Sequence, residues 1–186
     1  MEELVMDAVL ANIFLNVQNR LSELPELKFI DQDLGQLEID EVGERESPVA
    51  FPCSLFDIAE IRYTDNSFNS QQGEGILEVR LALLAYSAAT HYYKDNKHKQ
   101  NALAYYNIEH RVNKLLQGWS NSEYFNPLSR MSAQTERRKD NIRVRVLRYS
   151  FGFVENTAMA VPAQTIERPD LEIDMTPPIF PADRDV

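Results

Sequence analysis

A chain of 186 residues with 44% apolar and 26% charged side chains has material for one well-cored domain and an appended arm. Its formal charge of −10 argues against a free-standing nucleic-acid-binding domain, whose footprint is a basic face. A single cysteine, Cys53, excludes an intrachain disulfide and any two-cysteine zinc cluster.

The start, MEELVMDAVLANIF, carries acids where a signal peptide needs positive charge. No later stretch reaches the about 20 apolar residues that cross a bilayer, so the expectation is a soluble protein of the cytoplasm with no membrane partner. Leu4, Val5, Ala8, Ile13, Val17, Leu21 and Leu24 recur at three- and four-residue steps, which predicts an amphipathic helix from about residue 2 to 24, stopped by Pro25. LKFIDQDLGQLEI follows as a short strand or hairpin turning at Gly35, and 41–47 is a charged loop.

The longest feature is the stretch PVAFPCSLFDIAEIRYTDNSFNSQQGEGILEVRLALLAY. Val49, Phe51, Cys53 and Leu55 share one face of an extended chain, while Phe56 and Ile58 share the other. The parity slips near Asp57 to Glu60, which predicts a bulge. Leu77, Val79, Leu81 and Leu83 form the buried face of the return strand. TDNSFNSQQGEG, between the two, reads as a polar loop whose Gly73 and Gly75 permit unusual backbone angles.

A second helix carries Ala102, Tyr105, Ile108, Val112, Leu115 and Leu116, with Gly118 as its C-terminal cap. Lys97 and Lys99 precede it, which is unfavourable at the positive end of a helix dipole; an earlier helix start resolves this better than an acidic partner. IRVRVLRYSFGF sets Ile142, Val144 and Val146 against Arg143, Arg145, Leu147 and Tyr149, a final strand. From Glu155 the period collapses: the last 32 residues hold five prolines and seven acidic against two basic residues. Ile179 and Phe180 give this segment apolar anchors, so it reads as an arm ordered on a neighbour.

Charge is unevenly spread. From Glu23 to Glu46 nine acidic residues face two basic ones, and from Arg137 to Arg148 six basic face one acidic. Opposite patches on one chain can steer copies together and fix their register. The alternative is a set of solvated faces.

Catalytic chemistry is thinly supported. Asp57, Glu60, Glu78 and Arg80 on adjacent strands could hold Mg2+ as a small nuclease, yet EVR lacks the lysine of the ExK pattern. Strand carboxylates facing solvent are the commoner explanation. His91, His98 and His110 lack metal-ligand spacing. Cys53 sits inside an apolar strand and behaves as a small hydrophobe. No phosphate-cradle pattern occurs. The expectation is no enzyme, no cofactor and no metal.

The order of elements, with FPCSLFDIAEI, LLQGWSNSEYFNPLSRMS and DNIRVRVLRYSF at matching places, resembles the tail terminator proteins of long-tailed bacteriophages, closest to the prophage-type versions of Bacteroidetes. The resemblance covers about residues 1–155 and implies a structural virion protein. Such families form a ring, commonly six-fold, that caps the tail tube and offers its other face to the head connector. Partners implied are further copies of the chain, tail tube protein, a head-completion or connector protein, a sheath in contractile systems, and DNA only as transiting cargo. The implied location is the virion, reached from the host cytoplasm. A head-completion or neck ring, or the terminator of a contractile injection system, are the neighbouring alternatives.

The expected fold is therefore α+β: an antiparallel sheet with a long β-ribbon and two helices packed on one side (1–155), then an extended C-terminal arm (156–186). Expected contacts to other subunits or partners are Arg137, Arg138, Lys139, Arg143 and Arg145 in the basic run, Phe68, Gln71 and Gln72 at the ribbon loop, and Ile179 and Phe180 in the arm.

Overall fold

The computed structural model describes residues 7–38, 49–67, 69–84, 95–138, 140 and 142–156. The expectations placed on Phe68, Lys139, Ile179, Phe180 and the arm beyond Asn156 lie outside these residues. The first helix, expected from residue 2, begins at Val9; residues 2–6 of that expectation lie outside the described residues.

Seven elements follow in chain order: α1 (Val9–Leu21), β1 (Phe29–Gln32), β2 (Cys53–Ser67), β3 (Ser70–Leu84), α2 (Asn96–Leu116), β4 (Ser129–Glu136) and β5 (Ile142–Glu155). The strands form one sheet in the order β1-β2-β3-β5-β4. The fold is α+β, with a correction to the expected strand directions: β1 runs parallel to β2, so the sheet is mixed rather than antiparallel. Apolar alternation reveals a strand but not its direction. The long segment between β1 and β2 supplies the crossover that parallel neighbours need.

Both helices pack on one face of the sheet. Ile13, Val17 and Leu21 of α1 and Val112 and Leu116 of α2 close over Phe56, Leu77, Val79, Leu81, Leu147 and Tyr149. Phe14 of α1 stacks on Phe56 of β2 with ring centroids 4.4 Å apart. Each helix thus buries the four-residue stripe its sequence carries. The opposite face has a smaller core, in which Leu37 and Phe51 cover Cys53, Leu55, Ala82, Ile142 and Val144. Both parities of β5 are therefore covered in its first half, one by α2 and the other by the segment leading into β2.

Local chemistry sets the boundaries. Asp95 caps α2, its carboxylate accepting the His98 amide at 2.9 Å. The helix therefore begins before Lys97 and Lys99, and the capping carboxylate offsets the lysines at its positive end. At the other end Gly118 adopts φ 75°, the left-handed angle that a helix terminus favours in glycine, and its amide bonds the Leu128 carbonyl at 2.8 Å. Gly35 turns the chain after β1 with φ 87°.

Candidate assembly surface

The three central strands outrun their neighbours. β2 and β3 pair along their full length, from Cys53 opposite Ala82 to Ser67 opposite Ser70, with a register shift between Ile58 and Glu60 where the parity slip predicts one. β5 follows β3 from Leu84 opposite Ile142 to Gln71 opposite Glu155. β1 reaches only Cys53 to Phe56 of β2, and β4 reaches β5 only between Val144 and Ser150. Past these limits β2, β3 and β5 continue as a three-stranded tongue.

This corrects the reading of TDNSFNSQQGEG as a loop. Most of it is strand, β2 and β3 pairing as far as Ser67 opposite Ser70. Gln71 and Gln72 consequently lie within β3. Gly73 and Gly75 serve packing rather than unusual backbone angles. The ring of Phe153 lies over Gly73 and that of Phe151 over Gly75, so that a Cβ at either position would collide with the ring. The two rings are themselves 5.9 Å apart. Phe125 meets Phe151 edge-on at 6.3 Å and Tyr63 meets Phe153 at 5.9 Å. An aromatic row thus stiffens the helix-side face of the tongue. On the other face Glu60, Arg62, Gln72, Glu74 and Ser150, together with Ile76, Pro127 and Met131, line an open concavity of about 540 Å³.

Two unlike edges result. On one side β4 presents its outer edge, and its residues are mostly exposed. On the other, β2 beyond Phe56 has no strand beside it among the described residues. The first amide past the end of β1 is capped locally: Asp57 Oδ1 accepts the Ile58 N–H at 2.8 Å. β4 is the one strand that the sequence reading missed. SRMSAQTE has no apolar alternation because neither face of an edge strand at this position is covered; only its pairing with β5 defines it.

The described residues of the basic run are dispersed rather than gathered into a patch. Arg137 is exposed. Arg138 is nearly buried, bonds the Leu37 carbonyl, and pairs with Glu136 at 2.7 Å and Asp140 at 2.9 Å. Burial favours the protonated carboxyl of Asp140, but the Arg138 guanidinium outweighs it and holds the group below the usual carboxylate range. Arg145 lies beneath α2. Its Nε and a terminal nitrogen grip both carboxylate oxygens of Glu109, at 2.7 and 3.0 Å, and its other terminal nitrogen donates to Thr135 Oγ1 at 2.7 Å. The bonds to Glu109, against the cost of burial, raise its pKa further above the ordinary guanidinium value. Arg143 stacks on Tyr105, 3.8 Å from the ring centroid. Burial and the Tyr106 hydroxyl push the Tyr105 phenol up to about 12, against the opposing charge of Arg143.

Four acids of the described part of the acidic stretch are likewise paired within the chain. Glu23 pairs with Arg20 and Glu26 with Arg111. Arg80 of β3 reaches Asp33 at 3.0 Å, Glu38 at 3.2 Å and Glu136 at 2.9 Å, fastening the turn after β1 to β3 and β4. Burial works against the Arg80 charge, but Asp33 and Glu136 more than offset it and raise the pKa. The carboxylates considered for Mg2+ are engaged too. Asp57 and Glu78 lie opposite each other, yet Glu78 pairs with Arg148 at 2.7 Å and Glu60 with Arg62 at 2.9 Å. Among the described residues no group of three or more His, Cys, Asp or Glu side chains comes together, and no helix is long and apolar enough to cross a membrane.

No family model matches the chain, and no curated protein matches it. Among solved structures it is similar to a chain from the virion of a native gene transfer agent particle, with a TM-score of 0.40 and 14% identity over 80% of this chain and 92% of that one. The likeness is weak at that depth, and no role is transferred from it.

Proposed function

We propose that this chain is a structural protein of a phage virion, and that its copies join head to tail into a ring closing the tail tube and meeting the neck. One observation carries this reading: a single sheet whose two sides, among the described residues, end in unlike edges that no further strand covers, β4 on one side and the distal half of β2 on the other. Open edges invite pairing unless a protein blocks them. Unlike edges on opposite sides fit a heterologous contact, which closes into a ring when the rotation per subunit allows it. Among the described residues, the ion pairs of Arg80, Arg138 and Arg145 within the subunit are consistent with contact through backbone edges.

In this reading tail tube protein and a connector protein bind the two rims of the ring, a sheath adds a third contact in a contractile tail, and DNA crosses as cargo. The overall charge of −10 suits a conduit that repels phosphates instead of holding them. The role is structural, not enzymatic. Electron microscopy of the purified chain, alone and with tube protein, tests it. Closed rings of one diameter are the expected result; a monomer under both conditions contradicts it.

A further inference from the structure

The open distal edge of β2 adjoins an apolar groove. Leu10, Phe14 and Leu15 of α1 and Ile58 and Ile61 of β2 line it, with a volume of about 470 Å³. Edge and groove together are what strand addition needs: free backbone groups for affinity, and a receptacle for every second side chain. The C-terminal region contains a segment of matching form. Residues 170–175 read Asp, Leu, Glu, Ile, Asp, Met, an alternation that places Leu171, Ile173 and Met175 on one face of a strand and Asp170, Glu172 and Asp174 on the other. Pro169 and Pro177 bracket it, as prolines bracket an added edge strand.

We propose that residues 170–175 of one copy form a strand on the distal edge of β2 in the next copy, with Leu171, Ile173 and Met175 seated in the groove beside α1. The inference rests on the head-to-tail reading, and the topology gives its direction. β5 ends at Glu155 opposite Gln71, at the far end of the tongue and on the β4 side of β3. In a head-to-tail contact that side of one copy meets the β2 side of the next. The arm is thereby directed to the side on which the next copy's β2 edge lies in that reading. Reaching its own β2 would require passing around the end of the tongue. The linker, residues 157–169, spans up to roughly 43 Å when extended, ample for crossing to an adjacent subunit. The acidic face points away from the groove, to the side where the exposed Arg62 pairs with Glu60.

The test uses full-length chains. Thr64→Cys sits on the exposed edge and Ile173→Cys in the arm; each variant is prepared alone, the two are mixed, and a short bis-maleimide is added. A crosslinked heterodimer in the mixture, absent from either variant alone, is expected. Ile173→Asp in the companion experiment should cut the yield of crosslink from Met175→Cys by about tenfold or more, the effect of losing one buried apolar anchor. Native mass of wild-type protein is measured in the same buffer. An oligomer without heterodimer crosslinks overturns the strand exchange alone. A doubly substituted chain that closes on itself as a crosslinked monomer does so too. A wild-type chain that is monomeric by mass overturns the head-to-tail reading and this inference with it.

Discussion

Arg145 illustrates what alternation in a sequence conveys and what it hides. Its parity with Leu147 and Tyr149 is plain in IRVRVLRY, and the structure keeps that parity. Hidden is the element lying above it: Glu109 of α2 sits over the strand and takes Nε and one terminal nitrogen of the guanidinium. A residue expected to face a partner is instead part of the internal scaffold, with only 13% of its side chain exposed. Replacing it leaves a buried carboxylate alone, so Arg145→Ala should lower stability by about 3 kcal/mol or more in denaturant unfolding, while Arg137→Ala should change it by less than about 0.5 kcal/mol. Gly73 makes a second case. Because the Phe153 ring occupies the place of a Cβ, Gly73→Ala should cost about 1–3 kcal/mol, far more than a glycine in a solvated loop. The neighbouring Tyr105 predicts a response to alkali. Its pKa rises to about 12 in the fold from about 10 in an unfolded chain, so the folded state holds the proton more tightly. The stability gained is complete below pH about 10 and is lost as pH rises through about 12. Wild-type protein should therefore lose more stability over that interval than Tyr105→Phe, measured by denaturant midpoints.

At the scale of elements, those with a covered face were legible. α1, α2, the long β2–β3 pair, its bulge and β5 all carry an apolar stripe, because each packs against a core that selects one periodicity. β4 carries none, since it is held by backbone pairing at the margin of the sheet, and pairing leaves no mark on side-chain choice. The far end of the tongue was misread for the opposite reason: its glycines look like turn residues, yet they make room for rings from the adjacent strand, a long-range cause that no local window contains. The same exposure that hid β4 makes it a candidate for contact. A lysine directed from an edge strand discourages further pairing. Ala133→Lys, at an exposed position opposite Leu147, should leave unfolding within about 0.5 kcal/mol of wild type and yet reduce assembly, followed by sedimentation.

For the whole molecule, the charge pattern changes meaning once folded. The acidic and basic stretches are unmistakable in sequence and suggest attraction between copies. In the fold, Arg80 joins Asp33, Glu38 and Glu136, and Arg138 joins Glu136 and Asp140, so much of that complementarity is spent inside one subunit holding the turn after β1 against the sheet. Association, if carried by backbone edges and apolar contacts instead, should depend weakly on salt, since screening acts on exposed charge. The central claim is that two different edges of one sheet mate between copies. The most direct measurement is the native mass of the full chain across a concentration series, with Ala133→Lys alongside. The account predicts a discrete ring mass for wild type that collapses toward the monomer in the variant. A wild-type chain that stays monomeric at every concentration, and still does so when tube protein is added, contradicts it.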